Sequence, residues 1–298
     1  MINPHPGLPE LEYIKPVSID EACKFLAEHE GDAKPFSGGT DSFVRLRDGV
    51  IKLKYLLDVK GLPGSHELVF DSQKGLTIGS GVTMNQVSTN KDVITRYPCL
   101  AEAAGSVASY QLRNRATVIG NICNASPAGD TIGSCIALDG VLNVHGIAGL
   151  RQIPLSNFFL SPGKTVLKPG DLIASINLPV PPDNSTGVYK KLGRNSIGDL
   201  SIVGVTVLGY PSNESPSGFR FRIVLASVAP IPLEAFKAEA VLAQKRITNE
   251  VITEAARVTM DSVKPIDDVR SSARYRKYMV RNLTREALTE VWTKISKH

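Results

Sequence analysis

Thr117-Val118-Ile119-Gly120-Asn121-Ile122-Cys123-Asn124-Ala125-Ser126-Pro127-Ala128-Gly129-Asp130, taken with the earlier turn Ser37-Gly38-Gly39-Thr40-Asp41, decides how this chain reads. The β-branched run Thr117, Val118 and Ile119 predicts a strand that stops at Gly120, and Ser126 to Asp130 predicts the cap and first turn of a helix. A loop between strand end and helix start exposes backbone N–H groups. The small and amide-bearing residues Gly120, Asn121, Asn124, Ala125 and Ser126 let a bulky ligand approach them, and a helix N-terminus favours negative charge. A pyrophosphate fits such a place. Each motif alone also reads as an ordinary connection, since Gly-Gly before Thr-Asp is a common turn and Ser-Pro-Ala-Gly-Asp starts a helix without any ligand.

Outward from these motifs, Ser18-Ile19-Asp20-Glu21 predicts a capping box, with Glu21 reaching back to the Ser18 N–H, and a helix over 19–28 that ends at Gly31. Lys34-Pro35-Phe36 reads as a strand feeding the first glycine turn, with a helical stretch from Asp41 toward Arg47 and a second buried strand over 55–59. This β-α-β-α-β unit places the turn at the carboxyl end of a strand, where open α/β sheets bind ligands, but it lacks the third glycine of a Rossmann fingerprint. A hairpin follows around Gly75, then an alanine-rich helix over 100–108. Arg113 and Arg115, just before the second loop, face either a phosphate or solvent. A helix from Ala128 to about Leu138 and strands over 141–144 and 172–178 complete this part. The proline-rich break 179–185 predicts a boundary between an N-terminal domain, 1–178, with parts of about 1–60 and 61–178, and a C-terminal domain, 186–298. There, strands near 188–192, 200–208 and 219–228 precede helices over 233–244, 249–262 and 271–296, the last with Asn282-Leu283-Thr284 as its candidate break. Strands followed by helices predict an α+β arrangement.

The paired motifs resemble those of the flavin-binding subunit of molybdenum hydroxylases, the medium subunit of carbon monoxide dehydrogenase and the middle domain of xanthine dehydrogenase. Ser109-Tyr110-Gln111-Leu112-Arg113-Asn114-Arg115-Ala116, Tyr189-Lys190-Lys191-Leu192-Gly193-Arg194, Asp199-Leu200-Ser201-Ile202-Val203, Val228-Ala229-Pro230-Ile231-Pro232-Leu233 and Arg274-Tyr275-Arg276-Lys277 match in the same order, over nearly the whole chain. The resemblance implies a two-part FAD-binding domain of the vanillyl-alcohol-oxidase/PCMH-like type and a small C-terminal domain with an antiparallel sheet and helices. It implies that Pro35, Phe36, Ser37, Gly38, Gly39, Thr40, Asp41 and Ser42 wrap the pyrophosphate and flavin. Thr117, Val118, Ile119, Gly120 and Asn121, with Ser126 beyond them, would form the second flavin-contacting loop, and Asp130 would accept hydrogen bonds from the cofactor. Val107 and Ile173 fall on apolar contacts, Lys191 beside the flavin ring, and Asp199 and Leu200 at its face. One departure stands out: the family usually carries two glycines where this chain has Ile119-Gly120.

The resemblance also implies partners. A large subunit would carry the molybdenum cofactor and a small one the iron–sulfur clusters, in a dimer of heterotrimers that passes electrons through FAD to NAD, a quinone, a carrier protein or oxygen. The residues themselves exclude other classes. A net charge of +5 over 298 residues is modest for a nucleic-acid protein. Cys23, Cys99, Cys123 and Cys135 have no metal-site spacing and read as small buried thiols, and the cysteine-bearing insertion of the benzoyl-CoA reductase branch is absent. No apolar run is long enough to span a bilayer, and the N-terminus lacks a basic region followed by an apolar one, so the expected location is cytoplasmic. His5, His29, His66, His145 and His298 are scattered, and no nucleophile, base and orienter set emerges. Two alternatives remain open from sequence: a self-contained flavin oxidase or dehydrogenase, and an assembly module that kept the fold without its cofactor.

Overall fold

The computed structural model describes residues 7–195 and 198–297, so the N-terminal stretch 1–6 with His5, and His298, lie outside the described residues. The first part of the chain runs β1 (Glu12–Ile14), α1 (Ile19–Glu28), β2 (Ala33–Phe36), α2 (Ser42–Arg47), β3 (Tyr55–Asp58). These strands form a parallel sheet in the order β1-β3-β2. Helix α1 buries Ala22, Cys23 and Leu26 on one face, and Ser18 Oγ accepts the Glu21 N–H at 3.1 Å. The reciprocal bond falls one residue earlier than expected, with Glu21 accepting from the Val17 N–H at 2.8 Å. At the end of β2, Phe36 packs edge-on against Phe43 and Tyr13, and the Lys60 ammonium lies 4.3 Å from its ring centroid. This cluster supports the first glycine turn from below.

The second part runs β4 (Leu68–Asp71), β5 (Gly75–Gly79), α3 (Met84–Thr89), α4 (Lys91–Arg96), α5 (Pro98–Gly105), α6 (Tyr110–Arg113), α7 (Val118–Asn124), α8 (Asp130–Ala137), β6 (Val141–Gly146), β7 (Gly149–Pro154), β8 (Phe159–Ser161), β9 (Lys164–Thr165), β10 (Leu172–Leu178). An antiparallel sheet, β4-β5-β10-β6-β7, carries the largest core together with α3, α5, α7 and α8. The strand expected over 117–119 is instead the start of α7. Thr117 is extended but serves as the N-cap, its Oγ1 accepting the Gly120 N–H at 3.0 Å. Val118, Ile119 and Ile122 then face the core at helical spacing, which outweighs their strand preference. The helix expected from Ala128 begins at Asp130, behind a Gly129 cap.

The third part runs β11 (Thr186–Leu192), β12 (Val203–Pro211), β13 (Phe219–Ala226), β14 (Leu233–Glu234), α9 (Phe236–Gln244), α10 (Asn249–Ser262), α11 (Ala273–Ile295). Its sheet is antiparallel in the order β11-β12-β13-β14. Strand β12 is buried from Val203 to Gly209 because both faces are covered. Thr206 meets Ser134 of α8 at 3.2 Å, while a side chain at Gly209 would strike Val291 of α11 at 2.5 Å. Helix α11 has no break near Asn282-Leu283-Thr284. Val280, Thr284, Ala287, Leu288, Val291 and Ile295 bury one continuous stripe, and that packing holds the helix through its poorer residues. No helix among the described residues is long and apolar enough to cross a membrane.

Burial pushes the Glu239 carboxyl from its ordinary 4.5 up to about 7, although the Ile223 N–H bonds to it at 2.7 Å. The folded chain therefore keeps a proton that the unfolded chain releases. Glu239 contributes stability that is full below pH 4.5 and is lost as pH rises through about 7. Glu239→Gln keeps an acceptor for Ile223 and abolishes the titration. Urea unfolding across this window should show wild type losing stability relative to Glu239→Gln; parallel profiles would contradict the assignment.

Candidate cofactor-binding cleft

The two glycine-bearing loops meet. A side-chain carbon at Gly38 would lie 2.1 Å from the Arg115 carbonyl oxygen, so only glycine lets the backbone of the first loop touch the approach to the second. Gly39, at φ +75°, makes the left-handed turn that follows, directly over the Phe36 ring. Ser37 Oγ donates to the Ser80 carbonyl at 3.0 Å and ties the turn to the end of β5. Between the loops opens a cavity of about 470 Å3, within the size range of cofactor sites.

All of the residues assigned to the cofactor from sequence line this cavity except Phe36, Val118 and Lys191. Phe36 lies beneath the turn, and Val118 is fully buried in the core. The first loop (Pro35, Ser37, Gly38, Gly39, Thr40, Asp41 and Ser42) forms one wall, and Thr117, Ile119, Gly120, Asn121 and Ser126 form another. Val107 and Ile173 supply apolar surface, and Asp199 and Leu200 close the side toward the third part of the chain. Ile119, where the resemblance leads one to expect glycine, is 4% exposed and packs into the main core, so most of the side chain leaves the cleft. Gly120 is exposed on the cleft, although a side chain there would lie 2.8 Å from the Thr117 hydroxyl that caps the helix.

Of the four carboxylates on the wall, Asp41, Asp130, Asp171 and Asp199, the last three are engaged by other groups of the chain. Asp130 is buried; its oxygens accept from Tyr189 OH at 2.7 Å and from Lys191 Nζ at 2.9 Å. Burial holds its carboxyl above the usual carboxylate pKa, against the pull of Lys191 and Tyr189. Lys191 Nζ also donates to the Ser106 carbonyl at 3.0 Å, fixing the segment that carries Val107. Asp171 is raised by burial but held low overall by Arg151 and the Lys168 N–H. Asp199 is held low by the Arg194 N–H at 2.6 Å and the Arg194 guanidinium. These pairings lessen the repulsion that an anionic ligand would meet.

Sequence reasoning missed several wall residues. Lys34 is the one basic side chain on the wall among the described residues, and burial pushes its ammonium below the usual lysine pKa. Its place beside Pro35 was the available signal. Cys123, read as a buried thiol, instead lines the cavity and is exposed, whereas Cys23, Cys99 and Cys135 are buried and free. Arg113 does not face the cleft. Its guanidinium donates to the Val107 and Ala108 carbonyls and to Asn85, bracing the loop from behind.

Bare glycine edges, hydroxyl and amide donors, and apolar side chains around one cleft define a nucleotide-cofactor-binding protein of mixed helix and sheet. The family described as the FAD binding domain in molybdopterin dehydrogenase matches residues 9–181, and the CO dehydrogenase flavoprotein C-terminal domain matches residues 187–291. The carbon monoxide dehydrogenase medium chain of Hydrogenophaga pseudoflava is 30% identical over 96% of this chain and 98% of its own length. The xanthine dehydrogenase FAD-binding subunit of Escherichia coli O157:H7 is 25% identical over 93% and 94%. A solved carbon monoxide dehydrogenase structure from Hydrogenophaga pseudoflava superposes with a TM-score of 0.90 at 30% identity, covering 96% of this chain and 98% of that one. The chain belongs to this family: it is an FAD-binding medium subunit of the molybdenum hydroxylases, an oxidoreductase component whose cofactor is FAD.

Lys191→Met would leave the Asp130 carboxylate buried without its cation, a change that costs about 3–5 kcal/mol. Asp130 should then take up a proton, and thermal unfolding should recover part of the loss toward acid pH. A melting temperature equal to wild type would show that the pair does not hold the cleft together.

Proposed function

We propose that the cleft between the two loops holds FAD and that the chain relays electrons within a complex. Iron–sulfur clusters on a small partner subunit would deliver them, and an external acceptor would receive them. The observation that carries this reading is the contact of Gly38 with the Arg115 carbonyl, which brings both glycine motifs to one cavity. The residues fit the cofactor. Pro35 to Ser42 and Thr117 to Asn121 would hold the pyrophosphate and flavin through backbone N–H groups and hydroxyls. Ser126 and Asp130 would take sugar or ribityl hydroxyls, each Asp130 oxygen keeping a lone pair beyond its bond to Tyr189 or Lys191. Val107, Ile173 and Leu200 would exclude water from the ring.

FAD, when bound, supplies the redox chemistry. The chain supplies position and field. Lys191, clamped by Asp130 and Ser106, keeps a cation behind the wall, where it favours added negative charge on the ring side. Among the described residues no group of His, Cys, Asp and Glu is arranged to hold a metal ion. The molybdenum cofactor is assigned to a large partner subunit, and the assembly to a cytoplasmic dimer of heterotrimers. Residues 1–178 are proposed as the FAD-binding domain and 186–298 as a second domain that closes the cleft through Asp199 and Leu200.

Visible absorption of the purified chain, with identification of any released nucleotide, tests the reading. Flavin bands that bleach on reduction, FAD in the released fraction, and co-purification with metal-bearing subunits are expected. A colourless chain that takes up no added FAD, alone or in its complex, would overturn it.

A further inference from the structure

Behind the cleft lies a buried guanidinium that no cofactor contact explains. Arg276, in the first turns of α11, is 2% exposed. One of its nitrogens, Nη1, donates to the Ile202 carbonyl at 2.8 Å and to the Ser227 carbonyl at 3.0 Å. Each of those residues leads to a different wall. Ile202 lies two residues beyond Leu200, and the segment is pinned on its other side by the Ile202 N–H donating to the Leu192 carbonyl at 2.7 Å. Ser227 adopts a left-handed backbone, φ +65°, and donates its N–H to the Pro127 carbonyl at 2.7 Å. Pro127 sits between Ser126 and Ala128, both on the cavity wall. A single nitrogen therefore spans the Asp199–Leu200 wall and the turn before α8.

The outer end of the guanidinium is fixed as well. Nη2 donates to Asp268 at 2.7 Å, and Asp268 also takes the Arg270 guanidinium and the N–H groups of Arg270 and Ser271. Among the described residues Arg276 Nε has no hydrogen-bond partner. A buried N–H left unpaired weakens the case for a purely stabilising role, because an apolar side chain of similar size avoids that cost. The guanidinium does what such a replacement cannot: Nη1 joins the two carbonyls while Nη2, in the same rigid plane, is fixed to Asp268.

We propose that Arg276 is a positioning residue for the flavin, setting the gap between the Asp199–Leu200 wall and the Ser126–Gly129 turn. This inference rests on the reading of the cleft as the FAD site. Arg276 touches neither the cleft nor the ring and acts only through the two carbonyls.

The test uses the full chain and its Arg276→Met and Arg276→Lys variants. FAD affinity is read from flavin fluorescence on titration, the flavin midpoint potential and visible band shape from redox titration, and stability from thermal unfolding. Arg276→Met should bind FAD about tenfold more weakly, with a shifted potential and blurred bands. Arg276→Lys, which keeps the charge but offers one nitrogen where Nη1 holds the carbonyls and Nη2 holds Asp268, should fall between the two. Should Arg276→Met not fold, Arg276→Lys alone decides, by a loss of about threefold in affinity together with a change in band shape. A folded variant with a lowered melting temperature but wild-type affinity, potential and spectrum would overturn the proposal and leave Arg276 merely structural. Wild type that takes up no FAD would overturn the cofactor reading itself, and this inference with it.

Discussion

Everything in the cleft depends on a contact that allows no side chain, the approach of Gly38 to the Arg115 carbonyl. The first loop belongs to a small parallel sheet and the second to a separate antiparallel one. Sequence places them about eighty residues apart, so joining them requires a close approach of two backbones. The glycine pair thus serves two needs at once. Gly38 permits closure, and Gly39 supplies the left-handed turn that redirects the chain into α2. Bare backbone toward the cleft is found at Gly120, which is exposed there.

A second constraint joins the third part of the chain to the second. Asp130, at the start of α8, is bound by Tyr189 and Lys191 of β11, and Lys191 reaches on to the Ser106 carbonyl. A carboxylate this deep is tolerated because both its oxygens are satisfied, one by an opposite charge. The result is a wall assembled from three distant segments. Side chains with no direct place on the cavity surface, Lys191, Tyr189 and Arg113, hold those that have one.

Much of this was legible in the residues. The spans of α1, α10 and β10 follow directly from periodicity and from caps such as Ser18 and Thr248. The two loops could be named as partners only through a resemblance, because pairing over such a separation leaves no local trace. The segment 117–119 misled because β-branched residues favour strands, while the Thr117 cap and the core beneath it favour a helix. Asn282-Leu283-Thr284 misled for a related reason, since a buried stripe on α11 outweighs weak local propensity. Short helices such as α3, which does carry a full capping box between Thr83 and Gln86, went unseen because their apolar pattern covers barely more than a turn. Lys34 and Cys123 were missed as wall residues since their side-chain direction is set by tertiary packing.

The central claim is that one FAD engages both loops together. Amide hydrogen exchange of the full chain, compared with and without FAD, tests it most directly. The account predicts that bound FAD slows exchange in 37–42 and in 117–121 to a similar degree, with the same dependence on FAD concentration. Protection of one loop alone, or of neither while FAD remains bound, would contradict it.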